Sequence, residues 1–204
     1  MKTIDRIINF RVIALLFAAI IIVSCSDDDD APAVEDELEV ITDVTLIFTS
    51  STGEVIMATA EDPDGEGIAN LAVLDTITLS ADTDYTLTYS IENALNADDV
   101  EDIGEEILEE DNEHQFFYSF TDGVFTSPMG DGNIDMASDP LNYDDMDENG
   151  LPVGLSTSWT TGPATATAGM FTARLQHQPE IKTADTGATD GDTDFDLTFT
   201  LNIE

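Results

Sequence analysis

Apolar and polar residues alternate along most of this chain. In "DFDLTFTLNIE" the residues Phe195, Leu197, Phe199, Leu201 and Ile203 fall on one phase, with acids, threonines and Asn202 on the other. "DYTLTYSIE" repeats the pattern through Tyr85, Leu87, Tyr89 and Ile91, and an earlier segment does so through Val44, Leu46 and Phe48. Strand side chains point alternately to two faces, so a period of two in threonine- and aromatic-rich runs predicts strands with one wet face. Further strands are predicted over Val55 to Ala60, Leu74 to Leu79, Gln115 to Phe120, Gly154 to Thr160 and Gly169 to His177. Turn dipeptides separate them, among them Asp122-Gly123, Asn149-Gly150 and Asp190-Gly191. The pattern predicts an all-β fold: an antiparallel, immunoglobulin-like β-sandwich of about seven or eight strands, with the C-terminal strand paired inside a sheet.

Two stretches depart from alternation. "NADDVEDIGEEILEED" sets Val100, Ile103, Ile107 and Leu108 at helical spacing, with acids where the helix dipole favours them, and predicts one short helix across an end of the sandwich. Residues 121 to 150, rich in Asp, Gly, Met and Asn, predict a long loop region.

The front of the chain belongs to a different class. Lys2, Arg6 and Arg11 precede an unbroken apolar run of twelve residues, Val12 to Val23. That length suits a signal-peptide core and falls short of the roughly 20 residues a membrane-spanning helix needs. Ile22-Val23-Ser24-Cys25 resembles a bacterial lipobox, which implies cleavage before Cys25 and lipidation of its thiol. The alternative is an ordinary secretory peptide that leaves an incidental thiol. Cys25 is the single cysteine of the chain, and an unpaired thiol in an exported protein would be a liability, which favours lipidation. The next residues, "SDDDDAPAVEDE", have no apolar periodicity and read as an extended, self-repelling tether. The expected organisation is a lipoprotein signal peptide (1–24), an acidic tether (25–37) and a β-sandwich domain (38–204). The Cys-Ser-Asp-Asp-Asp opening also resembles the acidic export signal of surface-exposed Bacteroidetes lipoproteins. The expected location is the cell envelope, as an outer-membrane lipoprotein; that resemblance implies display on the outer face, and a plain solvated spacer, with periplasmic or outer-face placement left open, is the alternative.

Charge narrows the choice of partners. The formal net charge is −39, and of five basic residues only Arg174 and Lys182 lie beyond the leader. A phosphate-rich partner needs cationic clamps, so nucleic acid and phosphorylated substrates are excluded. A surface this anionic either collects cations or is adapted to salt.

Three places carry candidate chemistry. "DMDENG" (Asp145 to Gly150) fits the start of a calcium loop, with Asp145, Asp147 and Asn149 as the alternating oxygen ligands. The twelfth position is Ser156, so the bidentate glutamate of an EF-hand is missing, and an Asn-Gly hairpin turn is the plainer reading. "DPDGEG" (Asp62 to Gly67) and "DGDTD" (Asp190 to Asp194) are looser variants. The two histidines sit in matching His-Gln dipeptides. His114 shares phase with Phe116, Tyr118 and Phe120, and His177 with Phe171, Ala173 and Leu175. If both strands face one core, both imidazoles sit at its rim. With Glu113 or Glu180 they would make a transition-metal site; rim histidines bonded to backbone are the plainer outcome. Trp159 is either core or, if exposed, a sugar-stacking platform. No G-x-S-x-G elbow, H-E-x-x-H or Gly-rich phosphate loop is present, and the chain is expected not to be an enzyme and to carry no cofactor unless calcium.

Taken together, "EEDNEHQFFYSF", "YDDMDENGLPVGL", "SWTTG", "ARLQHQPEIK" and "DTDFDLTFTLNIE" resemble a group of small acidic lipoproteins of Bacteroidetes. Such proteins carry the label "type 1 periplasmic binding fold", a two-lobed α/β architecture for which this chain is too short and too strand-rich. The resemblance implies an envelope location and no particular activity. The function expected is that of a lipid-anchored binding or accessory protein, its partner an envelope protein or polysaccharide. The alternative is a surface lipoprotein that binds divalent cations.

Overall fold

A computed structural model describes residues 39–62 and 71–204. The leader, Cys25 and the tether therefore lie outside the described residues, as does most of "DPDGEG". The strands are β1 (Asp43–Ser50), β2 (Val55–Glu61), β3 (Ala72–Val73), β4 (Ile77–Leu79), β5 (Asp84–Asn93), β6 (Glu101–Asp102), β7 (His114–Phe120), β8 (Phe125–Ser127), β9 (Ser156–Thr161), β10 (Gly169–His177) and β11 (Asp192–Ile203). One helix, α1 (Ile103–Glu109), lies between β6 and β7. One sheet runs β3-β2-β1-β5-β9-β8, with β6 also paired to β5; the other runs β4-β11-β10-β7. The all-β sandwich with a single short helix is as the alternation predicted. Only the β4–β11 pair is parallel among the described ladders.

The predicted inward phases are the buried ones. Val44, Leu46 and Phe48 meet Leu87 and Ile91 from one sheet, and Phe171, Ala173, Leu175, Phe195, Phe199 and Leu201 from the other, all fully or nearly fully buried. Trp159 is core, 1% exposed, with its indole N–H given to the Thr157 hydroxyl at 2.7 Å. Around Phe171 the rings of Phe48, Tyr118, Phe125 and Trp159 pack at centroid distances of 5.2–6.1 Å, mostly edge to face. That arrangement sets ring edges against ring faces and stabilises beyond area burial.

Three expectations change in detail. The run Leu74 to Leu79 is not one strand: the chain leaves the first sheet at Val73 and joins the second at Ile77, and Leu74 is exposed between them. The helix is shorter than its pattern. Asp102 caps it by accepting from the Glu105 amide at 3.1 Å, so Val100 stays outside; Ile103 and Ile107 are buried while Leu108 is not. The 121–150 region holds β8 and covers an edge. The free side of β7 is satisfied by Val153 O accepting from Phe116, Asn133 Oδ1 from Tyr118 and Asp131 O from Phe120, at 2.7–2.9 Å. Unpaired edge amides invite foreign strands, so this loop does for β7 what another strand would. Gly132 makes the approach possible: φ is +101°, and a Cβ there would stand 2.0 Å from Tyr118 O.

Candidate metal centre

α1 delivers the first part of the site. The C-cap residue Glu110, just past the helix, donates its amide to Glu106 O at 2.9 Å, and Glu113 N donates back to Glu110 O at 2.9 Å, so the chain reverses directly into β7. Glu110, Glu113 and His114 are thereby gathered within one tight turn. β10 brings the second part, because His177 is the direct cross-strand partner of His114. Opposed side chains on one face of an antiparallel pair stand close enough to touch. The two imidazoles stack, with centroids 4.5 Å apart and planes 5° from parallel.

β11 supplies the third part through an irregularity. Its register against β10 slips between Leu175 and Gln176: Phe195 faces Leu175, Thr193 faces Gln176, and Asp194 has no opposite number. An extra residue of this kind is a β-bulge, which redirects side chains. Asp194, expected on the wet face from alternation, is instead fully buried beside Phe195.

The resulting pocket is short of hydrogen-bond partners. His114 Nδ1 is 3.2 Å from Glu110 O, so one nitrogen of the pair has the backbone contact foreseen for a rim histidine. His114 Nε2, His177 Nε2 and both oxygens of Asp194 are buried without a hydrogen bond. His114 Nε2 stands 3.8 Å from Asp194 Oδ2, and His177 Nε2 stands 3.6 Å from Glu113 Oε2. One ligating atom from each of Glu110, His114 and His177 falls within 4.8 Å of the others. Glu113 is thus the carboxylate neighbour of the two proposed, while Glu180 is exposed in the turn after β10.

Burial sets the electrostatics. It pushes His114 down to about 4, with further depression from His177 and Lys182. The ring is therefore neutral at pH 7 and its nitrogen is free to donate a lone pair. Burial, then Glu39 and Asp192, push Asp194 up to about 8. Glu39, at the start of the described chain, is pushed up to about 7 by burial and by Glu106, with which it shares a hydrogen bond. With Glu101 and Glu110 also raising it, this is an acidic approach to the histidine end.

The Asp145 loop is a separate construction. Asp145 accepts from the amides of Gly154 at 2.9 Å and Ser156 at 3.2 Å, and Asp147 Oδ1 from those of Asn149 at 2.8 Å and Leu151 at 2.9 Å. Asp147 Oδ2 is 3.1 Å from the Lys182 ammonium, with both side chains buried. Asn149 is exposed. The oxygens that a calcium ion would need are held by amides, and a cation of the chain's own stands against Asp147. The Lys182 ammonium also donates to Asp111 O at 2.6 Å. Arg174 pairs with Asp196 and donates to Ala188 O at 3.0 Å, so both basic residues beyond the leader are engaged internally. Elsewhere, a concavity of about 340 Å³ on the first sheet is lined by Thr49, Thr86, Ser127, Asn142, Ser158 and Thr160.

Comparison with known proteins leaves the site as the basis for function: no protein family, curated protein or solved structure matches this chain. The two histidines were each legible in phase with core residues. Asp194 was not, because the bulge that turns it inward leaves no mark in an otherwise regular alternation.

Proposed function

We propose that this protein is a lipid-anchored binding protein of the cell envelope, without catalytic activity, whose ligand is a divalent cation taken up at the histidine end of the sandwich. One observation carries the reading. His114 Nε2, His177 Nε2 and both Asp194 oxygens are buried without hydrogen-bond partners, and one carboxylate oxygen of Glu110 lies within 4.8 Å of a ligating nitrogen on each imidazole. Leaving such groups unsatisfied costs about 1–3 kcal/mol each, and more for a charge, so a fold that keeps several together has a use for them. The acidic approach through Glu39, Glu101, Glu106 and Glu110 adds a field that raises local cation concentration. The lipid on Cys25 holds the domain at a membrane whose anionic surface would otherwise repel it.

Equilibrium dialysis of the detergent-purified, lipidated chain against mixed divalent cations tests this. One equivalent is expected to be retained, and to be lost when His114 and His177 are both replaced by alanine. No retained cation at all would end the reading. Cys25→Ser is expected to move the protein from the membrane to the soluble fraction; a variant that still pellets with membranes would remove the anchor from it. A polysaccharide partner is the second reading, favoured by the hydroxyl-lined groove beside Asn142. Ser158→Trp, which fills that groove, would then abolish glycan retention.

A further inference from the structure

Resting on the cation reading above, we infer that the pocket selects a zinc-class transition-metal ion held by His114, His177 and Glu110 of the α1–β7 turn, and that loading swings His177 out of its stack. The donor types give the first ground. Imidazole nitrogen suits zinc, copper and nickel, whereas calcium wants six to eight oxygens and magnesium a largely hydrated octahedron.

The spacing gives the second. Hydrogen-bonded nitrogen and oxygen atoms stand about 2.7–3.2 Å apart. Two ligands on a tetrahedral ion with bonds of ~2.0–2.2 Å stand roughly 3.3–3.6 Å apart. One ligating atom from each of Glu110, His114 and His177 lies within 4.8 Å of the others, so the turn of one ring brings them to that spacing, while His177 Nε2 stands 3.6 Å from Glu113 Oε2 and His114 Nε2 3.8 Å from Asp194 Oδ2. Both pairs are too long to be hydrogen bonds. A water bridging each pair would need about 4.5 Å, given two bonds of ~2.8 Å at its usual angle. The two Nε2 nitrogens and their carboxylate neighbours are thus neither hydrogen-bonded to each other nor spaced for a bridging water, and stay available to an ion.

The stack gives the conformational half. An imidazole lone pair lies in the ring plane, and planes only 5° from parallel do not meet at one ion. One ring has to turn. His114 is held by its Nδ1 contact to Glu110 O and is fully buried, while His177 keeps 7% of its side chain exposed with Nε2 unbonded. His177 is therefore the ligand that turns, and Glu110, with a carboxylate oxygen within 4.8 Å of a nitrogen on each ring, completes the site with it.

Competition titrations on the detergent-purified chain, with Zn²⁺, Cu²⁺, Mn²⁺, Ca²⁺ and Mg²⁺, test the selection, and Co²⁺ loading tests the shell. Zinc and copper are expected to bind one per chain, at least 100-fold more tightly than manganese, calcium or magnesium. Co²⁺ should give the intense visible absorption of a tetrahedral site. Glu110→Gln and His177→Gln should each weaken zinc at least 10-fold while the Trp159 emission of the folded core is unchanged. Zinc should also shift the imidazole proton resonances of His177 as the stack opens. Binding that favours calcium or manganese, a weak octahedral cobalt spectrum, or indifference to both substitutions would overturn the inference while leaving a cation-binding protein. Absence of any divalent binding would take both down.

Discussion

Replacing Lys182 by methionine isolates one buried interaction. The ammonium lies 3.1 Å from Asp147 Oδ2, with side chains 1% and 0% exposed, and it also donates to Asp111 O. Methionine keeps the bulk and removes the charge. Asp147 Oδ1 would retain its two amide bonds, but Oδ2 would be left as buried anionic oxygen with no cation beside it. Breaking a buried pair by removing one partner costs about 3–5 kcal/mol. Net stabilities of single domains run to about 5–15 kcal/mol, so this is a large fraction. With a urea slope of ~2 kcal/mol/M, the midpoint should fall by about 1.5–2.5 M. Trp159, the single tryptophan, sits in the core aromatic cluster and reports the transition by fluorescence. In the double variant with Asp147→Asn, the loss should be smaller than in Lys182→Met alone, because no charge is stranded. A loss below about 1 kcal/mol, or strictly additive single losses, would show that the pair is solvated and that the loop is held by its amides alone.

Calcium is expected to raise the melting temperature of the wild-type chain no more than sodium at equal ionic strength, since the Asp147 oxygens are already held; a larger rise would return the Asp145 loop to the list of ion sites. Glu39→Gln should stabilise the metal-free protein more at pH 8 than at pH 4. With a folded value raised to about 7, the wild-type group favours folding fully below about 4.5 and loses that contribution as pH rises through 7; thermal melts across this window in chelator should show the variant's flatter profile, and parallel profiles would refute it. Phe171→Ala should cost about 3–5 kcal/mol in urea unfolding, through the cavity left among Phe48, Tyr118, Phe125 and Trp159. Gly132→Ala should destabilise as well, because its Cβ would meet Tyr118 O; a neutral result would mean that the loop can leave the β7 edge at little cost.

The sequence by itself determined the sandwich, its inward phases and the placing of each histidine in phase with core residues; that the two stand opposite one another came from the β7–β10 register. A side chain's face follows from its place in an alternating run, and burial of one face is enough to choose the architecture. Phe195 to Ile203, or Phe171 with Leu175 and His177, needed nothing more. Only the tertiary structure decided the rest, because it rests on contacts between segments far apart in the chain. The bulge that turns Asp194 inward comes from how β11 must fit β10. Lys182 reaches Asp147 across a fold that no local spacing announces. The 121–150 segment, patternless as a string, acquires its order from the free amides of β7. Short-range periodicity tells a residue which way to point, whereas the number and kind of groups it meets there depend on register, and register is a property of the assembled sheets.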